Sequence, residues 1–282
     1  MELWYRLLSI LPFEWAQPGQ MLFMKNALLG ILVLCPLLGL LSCHIVTGRM
    51  SFFSDALGHS AFTGVAIGAI CGATFPMAVA VGFSVVLALL FTYVRWKSTL
   101  SGDTIIGVFS STAVALGIFV ATWGGGSFTK FNNYLIGDIL SVTPGEVGLL
   151  AVILLLVIVL WCLYSNRLFL SVLHPQLADS RGVRVGAVQG LFTVVIAVVV
   201  TMSLSWVGLL VINSLLVLPA AAARNFAKNL RQYHLFSVLG AVACGILGLM
   251  TSYYWGCSTG AAVSLLLAVY FFVGFLLRRR GA

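Results

Sequence analysis

Apolar residues in this chain fall in long runs, without the alternation of a half-buried strand or the single stripe of a soluble helix. Nine runs occupy about 25–47, 56–74, 76–94, 104–123, 147–164, 187–206, 207–224, 236–256 and 258–277. Each approaches the roughly 20 residues that a helix needs to cross a bilayer. The second and third nearly touch at Thr74-Phe75-Pro76, and the sixth and seventh at Trp206-Val207-Gly208, so both pairs are predicted to be tight hairpins. The stretch 131–142 (FNNYLIGDILSV) is too short to cross and holds Asn132, Asn133 and Asp138. It is predicted to be a re-entrant or interfacial helix, tolerated only where protein or water satisfies its polar groups. The pattern specifies an all-α fold, a polytopic transmembrane helix bundle of eight or nine spans. A single transmembrane domain is expected over 21–282, with a polar loop at 165–186. Residues 1–20 carry Glu2, Arg6, Pro12, Glu14 and Pro18 and lack a basic segment leading into a cleavable apolar core, so they read as an interfacial segment.

Composition supports this and removes other classes. Of 282 residues, 61% are hydrophobic and only 8% charged, against about a quarter charged in an average soluble domain. That is too little charge to coat a soluble globule of this size, which excludes a soluble enzyme, a disordered tail and a fibrous protein. The net charge of +8 comes from short basic clusters between apolar runs. No basic face is available for nucleic acid, and the expected partner of these clusters is anionic membrane lipid. Placing 165–186 inside puts twelve basic residues on the cytoplasmic side: Arg49, Arg95, Lys97, Arg167, Arg181, Arg184, Arg224, Lys228, Arg231 and Arg278 to Arg280. Three, Arg6, Lys25 and Lys130, remain outside. The positive-inside rule selects this orientation, with the N-terminus outside and the C-terminus inside. The six cysteines (Cys35, Cys43, Cys71, Cys162, Cys244, Cys257) are scattered and form no C-x-x-C pair. They read as small buried hydrophobes.

The informative residues are the polar ones inside the spans, because an ionisable group at membrane depth is expensive. Asp55 and His59 open the second span four residues apart, on one helical face, and Thr63 continues the row. Ala56, Ser60, Gly64 and Gly68 form a second row about 100° around the helix, suited to close helix packing. A carboxylate and an imidazole at this spacing suit a divalent transition metal. Spacing alone is equally satisfied by an Asp–His hydrogen bond that orders the helix start. His44, near the end of the first span, either approaches the same region or is an interfacial histidine. Asn213, within the seventh span, either lines a path or bonds a neighbouring helix. Pro219 is expected to kink its span. His174 and His234 are expected in solvated cytoplasmic loops. The segment 173–186 reads as a short helix with Pro175 in its first turn and Gly182 at its end, a simple connector or a docking element. P-loop, H-E-x-x-H and G-x-S-x-G patterns are absent, as is an arginine ladder.

Four segments, in order, resemble the metal permeases of bacterial ATP-binding-cassette importers of the zinc, manganese and iron class. GRMSFFSDALGHSAFTGVAIG (48–68) is similar to that family's G-D-A-L-S-H-A signature, with Ser54 and Gly58 where glycine and serine are usual and Asp55 and His59 in register. YLIGDILSVTPGEV (134–147) resembles its second G-D-I-L segment. HPQLADSRGVRVG (174–186) resembles its coupling loop, with His174 and Gln176 at usually acidic positions and Ala178 and Gly182 matching. VGLLVINSLLVLPAAAAR (207–224) resembles its V-G-x-L-L-V…L-x-P-A-A-x-A-R segment.

The resemblance implies a permease subunit in the bacterial inner membrane, not an enzyme, with no permanent cofactor and a divalent metal ion as cargo. It implies cytoplasmic ATP-binding subunits, an extracytoplasmic metal-binding protein and a second permease copy or paralogue as partners. Asp55 and His59 become the expected metal ligands, and Thr63, His44 and Asn213 further positions along the pathway. His174, Pro175, Leu177, Ala178 and Gly182 become the expected ATPase-coupling residues. The alternative is a standalone ion channel or proton-coupled carrier that needs no ATPase.

Overall fold

The computed structural model describes residues 21–123 and 139–277, together with Gln17 and Gly137. The expected interfacial segment 1–20, except Gln17 within it, and the C-terminal Arg278 to Arg280 lie outside the described residues. So does most of 131–142, of which Ile139–Ser141 forms a short 3-10 turn. Ten α-helices are described: α1 (Leu22–Thr47), α2 (Phe53–Ile70), α3 (Pro76–Lys97), α4 (Gly102–Trp123), α5 (Pro144–Leu173), α6 (Pro175–Ser180), α7 (Val185–Val207), α8 (Leu209–Phe226), α9 (Leu230–Trp255) and α10 (Thr259–Leu277).

The helix starts follow local chemistry. Proline occupies the first turn of α3, α5 and α6, where its missing N–H costs nothing. Thr143 and Glu146 close a reciprocal capping box at the head of α5. The Asn229 side chain accepts the Gln232 backbone N–H at 2.8 Å and starts α9. Between α7 and α8 the chain turns on Gly208 alone, whose φ of 80° is open to glycine at little steric cost.

Among the described residues, eight helices are long and apolar enough to cross a membrane. Of the nine predicted spans the second, α2, is the exception. Its 18 residues reach about 27 Å, but Asp55, His59, Ser54, Ser60 and Thr63 make it too polar to face lipid. The fold shields it: α2 packs between α3 and α4 and also touches α7 and α8. On the other side of the bundle, α1 packs on α9, α8 and α5. Buried positions therefore run around most of α1 and α2, whereas α5 buries a narrow stripe and leaves leucines and valines outward. That exposed apolar belt is what lipid requires of a multi-pass membrane protein.

Two boundaries differ from expectation. α5 continues to Leu173, past the apolar run that ends at 164, so the first part of the polar loop is helix. At 30 residues it spans about 45 Å, longer than a hydrocarbon core. A helix leaving the bilayer loses its need for apolar side chains but not its backbone ladder. Likewise α9 begins at Leu230, six residues early, and takes His234 with it. His234 is half-buried against Trp161 and Phe169, with ring centroids 5.6 and 5.2 Å away, instead of lying in a solvated loop.

Candidate functional site

The two rows on α2 have different fates. Ser60 Oγ lies 3.0 Å from Ser84 Oγ on α3. A Cβ at Gly64 would come within 2.5 Å of the Ala80 Cα. At Gly68 it would come within 3.0 Å of the Pro76 Cα. The small row is therefore a seam in which two backbones touch.

The polar row turns to α4 and α8. Asn213 Nδ2 of α8 donates to Asp55 Oδ1 at 3.1 Å. Ser110 Oγ of α4 donates more weakly to Asp55 Oδ2 at 3.4 Å. His59 Nε2 stands 3.6 Å from the same Oδ2, beyond hydrogen-bond length for a nitrogen–oxygen pair. The carboxylate is thus held by two neutral donors from neighbouring helices, and His59 is not locked to it. Both side chains remain open, Asp55 at 38% and His59 at 26% exposure. An oxygen donor and a nitrogen donor share a half-open face, within reach of one ion. Among the described residues no third His, Cys, Asp or Glu joins them.

The other expected positions separate. Thr63 is fully buried, and its hydroxyl lies 2.7 Å from the Ala113 carbonyl of α4 and 3.0 Å from the His59 carbonyl. It ties α2 to α4 and does not open on the face of Asp55 and His59. His44 is not brought to the pair either. It is buried among α1, α5 and α7, its ring 4.1 Å from that of Phe192 and 5.5 Å from that of Phe169. Asn213, in contrast, joins the cluster directly. Ser110 was not singled out by sequence. One serine in the run Ser110-Ser111-Thr112 carries little signal, because a helical serine can satisfy itself on its own backbone.

In the loop between α5 and α7 His174 precedes α6, and Ala178 is its buried anchor. Leu177 and Asp179 are exposed. Gly182 ends the element with φ 74° and donates its N–H to the Asp179 carbonyl at 2.9 Å. The result is a short, capped, outward-facing helix between two spans. Pro219 is buried within α8, which runs on to Phe226.

Comparison with known proteins agrees along nearly the whole length. A sequence profile described as the ABC 3 transport family matches residues 20–278. The manganese import system permease protein ScaB of Streptococcus parasanguinis is 32% identical over 256 residues, covering 90% of this chain and 90% of its own. The high-affinity zinc uptake system membrane protein ZnuB of Haemophilus influenzae is 26% identical over 254 residues, covering 90% of this chain and 97% of its own. Among solved structures, PsaBC from Streptococcus pneumoniae in complex with Fab superposes with a TM-score of 0.79 at 26% identity, covering 99% of this chain and 97% of that one.

Proposed function

The chain belongs to the ABC 3 transport family, and on that premise we propose that it is the permease subunit of an ATP-driven importer carrying a divalent transition-metal ion across the bacterial inner membrane. The observation that carries the reading is the pair Asp55 and His59, half open on one face of the least apolar span and steadied from α4 and α8. A carboxylate at this depth is costly unless it is hydrated or neutralised by a cation. Neutral imidazole supplies the second lone pair. Two protein ligands with water completing the shell bind weakly enough to release the ion onward, unlike a closed four-ligand structural site.

Relatives are named for manganese and for zinc. An oxygen and nitrogen donor pair accommodates manganese, iron(II) and zinc alike, so choice among them falls to the protein that delivers the ion. A second permease copy or paralogue faces the polar row of α2 and completes the path. The chain carries no nucleotide-binding loop, so ATP hydrolysis belongs to separate cytoplasmic subunits that receive α6. A standalone channel or carrier leaves this capped cytoplasmic helix without a use.

Asp55→Ala and His59→Ala are each expected to abolish accumulation of radiolabelled manganese or zinc, with assembly and ATP hydrolysis retained. Normal uptake by both variants would reduce the pair to a structural feature of the helix start.

A further inference from the structure

We infer that the cytoplasmic ends of α3 and α7, with α6 below them, form a binding site for a phospholipid with an anionic headgroup. Between these helices lies an open groove of about 830 Å³. Its α3 wall is Leu89, Tyr93 and Trp96, exposed by 50%, 56% and 72%. They lie on the face of α3 opposite Ser84 and Phe91, which touch Ser60 and Phe53 of α2. The seam between α2 and α3 therefore separates this groove from Asp55 and His59. On the α7 side Gly186, Ala187 and Gly190 open a glycine furrow flanked by Val185, Leu191 and Val194. At Gly186 nothing lies within 4 Å of the point where a side chain would begin.

The occupant follows from charge and from depth. Arg184 lines the cytoplasmic end of the groove, together with one carboxylate, Asp179. Lys97 Nζ sits 5.6 Å from the centroid of the Tyr93 ring, which adds a second cation beside the aromatic wall. Tryptophan and tyrosine with basic neighbours mark the headgroup level of a bilayer. Basic pockets between spans on the cytoplasmic side are suited to anionic headgroups. Above that level the wall continues into Val86 and Leu90, exposed by 63% and 53% on the outer face of α3. An acyl chain entering from the hydrocarbon lies along Leu89 and the glycine furrow, and its phosphate meets Arg184 and Lys97.

The site is tested on the full chain assembled with its ATPase subunits, by native mass spectrometry after exposure to equal amounts of phosphatidylglycerol and phosphatidylcholine. Phosphatidylglycerol adducts are expected to exceed phosphatidylcholine adducts by about five-fold, the effect of roughly one basic contact. Gly186→Trp, which fills open space, and Arg184→Gln, which removes an exposed charge, are each expected to bring the ratio to about one. Equal binding of the two lipids by the parent protein overturns the inference, as does a preference that survives both variants. Loss of the ATPase subunits or of a second permease copy from Gly186→Trp, with the lipid ratio unchanged, assigns the groove to a protein and also overturns it. These readouts are independent of metal transport, so the lipid site and the metal path stand or fall separately.

Discussion

If Asp55 binds and releases a cation, as proposed, it cannot be held by a fixed one, and among the described residues no lysine or arginine pairs with it. Its described hydrogen-bond donors are the neutral amide of Asn213 and the neutral hydroxyl of Ser110. Hydrogen bonds to a charged group are worth about 1.5–3 kcal/mol, reduced here because Asp55 is partly exposed. Asn213→Leu removes the shorter of the two and lets the carboxylate rotate. Radiometal uptake is expected to fall roughly ten-fold, equivalent to about 1.4 kcal/mol, while membrane insertion stays normal. Undiminished uptake would show that Asn213 is a bystander. At this scale the sequence was legible where chemistry is local. Asp55 and His59 share a face through helix periodicity alone. Asn213 stood out as an amide within an apolar run, although its partner is 158 positions away. Ser110 and the aromatic surroundings of His44 were not legible, because tertiary packing brings them together across helices.

The α2–α3 seam depends on an element with almost no side chains along one edge. Gly64→Val would drive a branched side chain into the Ala80 backbone, which cannot rotate aside as a flexible side chain can. Overpacking of this kind costs about 1–3 kcal/mol. The variant should melt earlier than the parent in detergent, and an unchanged melting temperature would contradict the close approach. α6 is a second element with a single critical residue. Proline fixes φ near −65°, whereas Gly182 sits at 74° and donates its N–H to Asp179. Gly182→Pro should therefore disorder the end of α6 and, on the proposed docking role, leave ATP hydrolysis in place while metal uptake falls by about ten-fold or more. Retained uptake would remove α6 from the coupling role. Spans were readable because about 20 apolar residues have few other uses. Their ends were less so: α5 outruns its hydrophobic segment once it carries Ser165, Asn166 and Arg167, and hydropathy does not register a backbone ladder that continues into water. Pro175 and Gly182, by contrast, carry their backbone geometry in their identity, and α6 was readable from them.

Orientation is a property of the whole molecule, and it rests on the bias of basic residues toward one side. Contrary to the reading of all six cysteines as buried, Cys71, Cys162 and Cys257 are exposed; in that arrangement Cys71, in the turn after α2, and Cys257, in the turn after α9, lie on the outer side. A membrane-impermeant maleimide applied to intact cells should modify both. Ser180→Cys in a background lacking those two thiols should remain unmodified, since α6 faces the cytoplasm. Efficient labelling at that position would invert the topology. The alternation of spans and the charge bias were both readable from the chain, whereas the nesting of α2 within the bundle was not. The run 56–74 was counted among the spans, yet it is less apolar than the eight helices fit to face lipid, and its surroundings are what shield it. The head of α5 has a further meaning for the outer surface. Glu146 is the one acidic residue on that side among the described residues, and its carboxylate accepts from the Thr143 N–H and hydroxyl, each at 2.8 Å. A funnel that gathers scarce cations from solution needs several carboxylates acting together over a Debye length. The described part of this surface presents a single carboxylate, already engaged by its own helix cap. On the proposed reading, in which a metal-binding protein hands over the ion, the pace of import is expected to follow the frequency of docking rather than the free ion's diffusion.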